Sequence, residues 1–157
     1  MIIKKLHVGG DLLLDYDTQS ETQPLEKVIE AARLQLGRKI DTAAGNARAA
    51  FVSPGSYIDQ EYLLAKQEAS EWLSGGKDES AIPSSVQDHI DMFGVSAEAA
   101  AQEIVATAEA WETALRDIRN LRLGGKAAVS RAETIEAAEE AAQQAIDLLN
   151  RYRPREV

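Results

Sequence analysis

Apolar side chains recur every three or four residues along most of the chain, which is the spacing of one face of an α-helix. Between Ser56 and Leu73 this apolar stripe consists of Ile58, Tyr62, Ala65, Ala69 and Trp72. Two of these side chains are aromatic, although aromatic residues make up only 5% of the protein. The stretch therefore predicts an amphipathic helix whose aromatic face must be covered, either by this chain or by a partner.

The same spacing predicts four further helices. Besides the helix at about residues 57–73, we expect helices at about 24–50, 86–93, 97–129 and 133–152. Gly124-Gly125 leaves two alternatives open for the longest of them. That helix either ends at Leu123 or continues to Val129. We favour the continuous helix, because glycine weakens a helix without being an obligatory stop.

Capping residues mark several of the predicted helix ends. Ser85 is a candidate N-cap for the short helix, and Gly94 stands in its C′ position. Ser96 is a candidate N-cap for the long helix that follows. Before the last helix, Ser130 begins a capping box, and Thr134 is a competing cap.

A short turn separates the first two long helices. The run Ser53-Pro54-Gly55-Ser56 cannot continue a helix, and so short a link makes the two helices antiparallel neighbours. The sequence thus predicts a mostly α fold, a bundle of antiparallel helical hairpins. Residues 24–73 would form the first hairpin and 85–152 the second, within a helical body at 18–152 that is followed by a tail at 153–157. The expected core positions are Val28, Ile29, Leu36, Ile40, Phe51, Ile58, Tyr62, Ala65, Ala69, Trp72, Ile104, Trp111, Leu115, Ile118, Ile135 and Leu148.

Residues 1–17 differ in pattern from everything that follows. Two short apolar runs are separated by Gly9-Gly10, and both central residues of a tight turn can then take positive φ. This pattern predicts a short N-terminal β-hairpin. Because an isolated two-stranded hairpin is marginal in water, it either packs on its own helices or adds to a sheet of another molecule. As a docking segment, its contact residues would be Ile2, Ile3, Leu6, Val8, Leu12, Leu13, Leu14 and Tyr16.

Composition and charge argue against several classes of partner. The formal net charge is −9, so nucleic acid and anionic membrane surfaces would repel the protein. No apolar run approaches the roughly 20 residues of a membrane span. Charged residues and glycines split the apolar pieces at the N-terminus, unlike a signal-peptide core, so we expect a soluble protein made in a cytoplasm. Alanine-rich stripes bury little area per residue, and we expect oligomerisation to add burial.

No constellation of residues predicts catalysis, a metal site or a cofactor. His7 and His89 are the two histidines, and the chain has no cysteine. His89 lies beside Asp88 and Asp91, but no second histidine or cysteine lies at metal-binding spacing, so a structural role is expected for it. The Gly-x-Ser-x-Gly motif of hydrolases is missing. Lys77 and Lys126 each follow paired glycines, but neither opens a helix of a βαβ unit, as a phosphate-binding loop requires. We therefore expect a protein that is not an enzyme.

Two regions of the sequence resemble a known group of proteins. The first is Pro54-Gly55 followed by Tyr62-Leu63-Leu64-Ala65-Lys66-x-Glu68-Ala69, and the second runs from Trp111 to Arg122. With the polar loop and Ile82-Pro83 between them, these residues resemble small proteins encoded in the tail-fibre region of tailed bacteriophages and prophages, including Mu-like siphophages. The resemblance covers roughly Leu25 to Leu149. Its most specific part is the Tyr-x-x-x-Lys-x-Glu-Ala run.

The resemblance implies a non-enzymatic structural component of a bacteriophage tail, associated with the tail tip, baseplate or fibre. Such a protein would be made in the host bacterial cytoplasm and end in the virion, with other phage tail proteins as partners. A homo-oligomer is expected, and a trimer would suit a fibre. An alternative that the resemblance also implies is a tail-fibre assembly chaperone that is absent from the mature virion.

The resemblance further implies that its matching positions serve packing and interfaces rather than a catalytic site; these are Tyr62, Lys66, Glu68, Ala69, Trp111, Ile118 and Arg122. Residues 1–17 lie outside the resemblance, which makes the hairpin the candidate docking segment. A third hypothesis is a small-molecule binder. It would need a pocket between the Trp72 and Trp111 stripes, for which the sequence offers no convergent polar groups.

Overall fold

A computed structural model describes residues 1–50 and 58–153. Over these residues the chain forms one antiparallel two-stranded sheet and five α-helices, which confirms the mostly α fold with a short N-terminal β-hairpin. The elements are β1 Ile2–Val8, β2 Asp11–Asp17, α1 Leu25–Ala49, α2 Ile58–Ser74, α3 Ser84–Phe93, α4 Ala97–Arg131 and α5 Ile135–Arg151. None of the described helices is both long enough and apolar enough to cross a membrane.

The chain divides into two compact units, and α4 contributes to both. Unit 1 consists of Met1–Ala50 and Asp117–Tyr152, and unit 2 consists of Phe51–Arg116 and Arg153–Val157. In unit 1, α1 packs against α5 and against β1, and in unit 2, α2 packs against α3. The predicted helical hairpins at 24–73 and 85–152 are therefore not the packing units. The turn predicted between α1 and α2 lies outside the described residues.

The apolar face of α1 is covered by elements from both ends of unit 1. One buried cluster consists of Ile3, Leu6, Tyr16, Val28, Ile29, Ala32 and Ile135, from β1, β2, α1 and α5. Within unit 1, the hairpin and α5 thus cover α1. The broad stripe of apolar and alanine side chains on α1 provides the face that they cover.

Most expected core positions are shielded from solvent. Buried are Val28, Ile29, Leu36, Ile40, Ala69, Trp72, Ile118 and Ile135. Half-buried are Ala65, Ile104, Trp111 and Leu115. Phe51 and the side chain of Ile58 lie outside the description.

Two of the expected core positions are wrong. Tyr62 is 39% exposed and Leu148 is 55% exposed. Along α5 the buried stripe is formed instead by Ile135, Ala138, Ala142, Ala145 and Leu149. Its spacing of three and four residues leaves Leu148 on the solvent side.

The helix ends show which capping predictions hold. The Thr134 hydroxyl accepts a hydrogen bond from the N–H three residues on at 3.1 Å, so the competing cap starts α5. Ser130 lies inside α4, so the predicted capping box does not form there. Ser96 accepts the corresponding bond at 3.2 Å, as expected, and Gly94 closes α3 with a left-handed φ of 68°. Ser85 is not the N-cap of α3, since that helix already begins at Ser84.

The long helix α4 runs without a break through Gly124 and Gly125, which confirms the continuous alternative. Gly125 marks a close approach between α4 and α5. A Cβ at this position would overlap the methyl group of Ala145 and would lie 3.4 Å from Cδ1 of Ile40. A Cβ at Gly124 would meet no atom within 4 Å. Packing therefore requires glycine at only one of the two positions.

Candidate interaction surface

The β1–β2 hairpin turns at Gly9-Gly10, whose φ angles of 60° and 95° suit a type I′ turn. The two strands keep one antiparallel register, except that Lys4 and Asp15 are not partners in the backbone ladder, although their side chains form an ion pair. Asp15 has a left-handed φ of 50°, so the hairpin is kinked at this point. The kink explains why the buried residues of β1, Ile3 and Leu6, are three positions apart, whereas a regular strand alternates every two.

Most of the hairpin residues expected at a docking surface face the helices instead. Ile3 and Leu6 are each 1% exposed and Tyr16 is 8% exposed. Val8 and Leu13 are half-buried against the same cluster. The hairpin therefore packs on its own helices, and these five side chains belong to the core of unit 1 rather than to a contact surface.

The other three expected contact residues face away from the helices. Ile2 is 43% exposed, Leu12 is 49% exposed and Leu14 is 65% exposed. Across the sheet, Leu12 pairs with His7 and Leu14 pairs with Lys5, and both partners are also exposed. These five residues form what we call the outward face of the hairpin, on which β2 contributes Leu12 and Leu14 and β1 contributes Ile2, Lys5 and His7.

The two edges of the hairpin differ in how their backbone groups are occupied. Along β1, the side-chain amide of Gln35 donates to the carbonyl of Ile2 and accepts from the N–H of Lys4, both at 2.8 Å. Within the described residues, the sheet has no third strand on the outer side of β2. Such an edge carries backbone donors and acceptors to which another strand can add. Because Gln35 occupies part of the β1 edge, the outer edge of β2 is the candidate site for strand addition.

Residues that carry the resemblance join the helices of unit 2. Glu68 of α2 accepts a hydrogen bond from the N–H of Ser85 at the start of α3, at 3.0 Å. The Ser85 hydroxyl, together with this N–H, lowers the pKa of Glu68. Lys66 Nζ lies 2.7 Å from Oε1 of Glu112 on α4. These two positions therefore tie α2 to α3 and to α4.

Tyr62 stands at a cleft that the sequence analysis did not identify. Its ring centroid lies 6.3 Å from that of Trp111. The cleft, of about 250 Å³, is also lined by His89 and Met92. His89 Nε2 lies 2.9 Å from Oε2 of Glu103, so this histidine is already engaged with a carboxylate. No sequence signal marks the cleft, because its walls come from three helices that are separated along the chain.

Arg122, one of the residues that carry the resemblance, forms an ion pair within unit 1. Its Nε lies 2.6 Å from Asp41 Oδ1, and Lys126 Nζ lies 2.7 Å from Asp41 Oδ2. The hydrogen bond from Lys126, followed by that from Arg122, lowers the pKa of Asp41. Lys77 pairs with Glu98 in the same manner. Both lysines that follow paired glycines therefore bind carboxylates of this chain.

The described residues contain no candidate metal site, and the comparisons suggest no ligand. Among residues 1–50 and 58–153, no three histidine, cysteine or acidic side chains cluster as a metal site would require. Comparison with protein-family models, with curated proteins and with solved structures finds no match to this chain. The outward face of the hairpin, with the outer edge of β2, is the candidate interaction surface.

Proposed function

We propose that this chain is a non-enzymatic structural component of a bacteriophage tail, located at the tail tip, baseplate or fibre. It docks on other tail proteins through the outward face of the hairpin and the outer edge of β2. The resemblance described above supports the tail assignment, and it rests on residues that hold the helices together. The protein is made in the host bacterial cytoplasm and is carried into the virion.

The observation that carries this proposal is the exposed apolar pair on an edge strand. Leu12 and Leu14 lie two residues apart on β2, so they point to the same side of the sheet. Edge strands of proteins that stay apart usually carry charges in such positions, because an exposed apolar edge invites pairing with another chain. An exposed apolar pair on an edge strand is therefore typical of a docking element.

The decisive experiment replaces the exposed leucines of the hairpin and compares them with exposed leucines elsewhere. Leu12→Ser with Leu14→Ser should remove the protein from purified tails of the phage or prophage that encodes it, as measured by mass spectrometry. Leu63→Ser with Leu64→Ser is the matched control, since both of these leucines are 55% exposed on α2. The control should leave incorporation unchanged.

Surface substitutions are preferable to deletion of residues 1–17. Deletion would also remove Ile3, Leu6 and Tyr16 from the core and so would confound docking with folding. Circular dichroism of both leucine variants should match the unaltered protein. Normal incorporation of the Leu12 and Leu14 variant would refute docking through the hairpin.

The same measurement separates the alternative function. A stoichiometric amount of the protein in virions supports a structural component. Consistent absence from virions, with fibres that fail to assemble when the gene is removed, supports an assembly chaperone. Light scattering of the purified protein tests the expected homo-oligomer, for which a trimer would suit a fibre.

A further inference from the structure

The charges of β2 restrict what can pair with its outer edge. The strand reads Asp-Leu-Leu-Leu-Asp-Tyr-Asp and contains three acidic residues and no basic one. Asp15 is already paired with Lys4, at 2.6 Å from Oδ1 to Nζ. Asp11 lies on the part of the strand that precedes the kink and is exposed. A strand that adds here therefore meets an unneutralised carboxylate at the turn end of the edge.

A second copy of the chain is a poor occupant of this edge. Antiparallel pairing of two β2 strands over their full length, centred on Leu14, would put Asp11 opposite Asp17 at both ends. Parallel pairing in register would put each aspartate opposite itself. Like charges directly opposite one another destabilise a strand pair, and the net charge of −9 on each copy adds to the repulsion.

We propose that the outer edge of β2 binds an extended basic segment of a different protein by strand addition. The segment carries lysine or arginine opposite Asp11 and apolar side chains opposite Leu12 and Leu14. Main-chain hydrogen bonds supply affinity in this mode of recognition, and the alternating side chains supply specificity. The inference rests on the proposed docking role of the hairpin and names the class of partner.

The test uses the full chain and two labelled peptides of the same seven-residue length as β2. One peptide alternates valine with lysine, and the other alternates valine with glutamate. Fluorescence anisotropy should show tighter binding of the lysine peptide. Methylation of its backbone nitrogens should abolish this binding, because strand addition needs those donors.

A charge reversal at Asp11 makes the test specific. Asp11→Lys replaces an attractive cross-strand pair with a repulsive one. It should therefore weaken binding of the lysine peptide about fivefold and strengthen binding of the glutamate peptide. Glu139→Lys makes the same change of charge at an exposed position on α5 and is the matched control. It should change neither affinity by more than about twofold, because Glu139 lies on α5 and not on the strand with which the peptide pairs, and exposed charges are screened by salt.

Several results would overturn the inference. These are equal binding of the two peptides, no binding of either, equal binding of the methylated peptide, or an equal effect of the two charge reversals. None of them touches the proposed function, which fails if the unaltered protein is absent from virions or if the Leu12 and Leu14 variant still enters tails. The two ideas can therefore be rejected separately.

Self-pairing of β2 is tested by a single cysteine, since the chain has none of its own. In full-length antiparallel pairing, Leu14→Cys would face itself across the two copies and form a disulfide-linked dimer on mild oxidation. Leu63→Cys is the control for random collision. Equal and slow dimer formation by the two variants supports a different protein as the partner. Faster cross-linking through residue 14 would overturn the proposal.

Discussion

Gly125 offers the sharpest test of how unit 1 is packed. Replacing it with alanine would place a methyl group against the methyl group of Ala145 and 3.4 Å from Cδ1 of Ile40. The Ala145 methyl is attached directly to the backbone of α5 and cannot rotate away. The clash can therefore be relieved only if α4 and α5 move apart. Gly124→Ala places the same group where no atom lies within 4 Å.

The two substitutions are expected to change the free energy of unfolding in opposite directions. Exchanging glycine for alanine inside a helix stabilises it by about 1 kcal/mol, and this gain applies to both positions. Overpacking of a closely packed contact costs about 1–3 kcal/mol, and we expect the upper end because both atoms are fixed to helix backbones. Gly125→Ala should therefore lower the free energy of unfolding by about 2 kcal/mol, whereas Gly124→Ala should raise it by about 1 kcal/mol.

Urea unfolding followed by circular dichroism measures both values. A second alteration identifies the clash as the cause: Ala145→Gly removes the opposing methyl group. Combined with Gly125→Ala, it should restore stability, with a coupling of about 3 kcal/mol between the two sites, since Ala145→Gly alone costs about 1 kcal/mol of helix propensity. Equal unfolding midpoints for Gly124→Ala and Gly125→Ala, or additive effects of Gly125→Ala and Ala145→Gly, would refute the close approach of the two helices.

Three further predictions concern the cap of α5 and the carboxylates that the helices bind. Thr134→Ala should cost about 1 kcal/mol in unfolding free energy, whereas Ser130→Ala, at the rejected cap position inside α4, should not destabilise the protein. Asp41 and Glu68 have lowered pKa values in the folded chain, so the stability that they contribute is fully present above the ordinary carboxyl pKa of about 4 and is lost as the pH falls below it. Asp41→Asn should therefore flatten the decrease of the urea midpoint between about pH 5 and pH 2, and an unchanged slope would contradict the pairing. Glu68→Gln should lower stability at neutral pH more than in acid, because its neutral amide matches the protonated carboxyl.

Local features of the fold could be read from the sequence, because they depend on neighbouring residues. The Gly9-Gly10 turn, the cap at Ser96 and the helix end at Gly94 follow from backbone conformations that few residue types favour. The helices themselves follow from the apolar period, and α4 continues through Gly124 because a glycine pair weakens a helix without ending it. These are the parts of the fold that require no knowledge of distant contacts.

The pairing of the helices could not be predicted in the same way. The short link after α1 suggested α2 as its neighbour, yet α1 packs with α5 and β1 within unit 1. The alanine-rich faces of the helices are similar to one another, so the apolar period does not show which faces pack together. The kink at Asp15 could not be predicted from the sequence either. It shifts the inward face of the hairpin and thereby buries both Ile3 and Leu6, which strict alternation would place on opposite faces.

The contacts also show what two residues of the proposed resemblance, Lys66 and Glu68, do in the fold. Lys66 and Glu68 each bind a residue of another helix, so their types are fixed by packing and capping. Leu12 and Leu14 do not contribute to the core in this way, because they lie on the solvent side of the hairpin. Substitutions in the first pair should therefore change the urea midpoint, and substitutions in the second should change binding alone. The contacts within the fold thus account for Lys66 and Glu68, whereas they leave Leu12 and Leu14 without a packing role, which is why β2 carries the proposed docking surface.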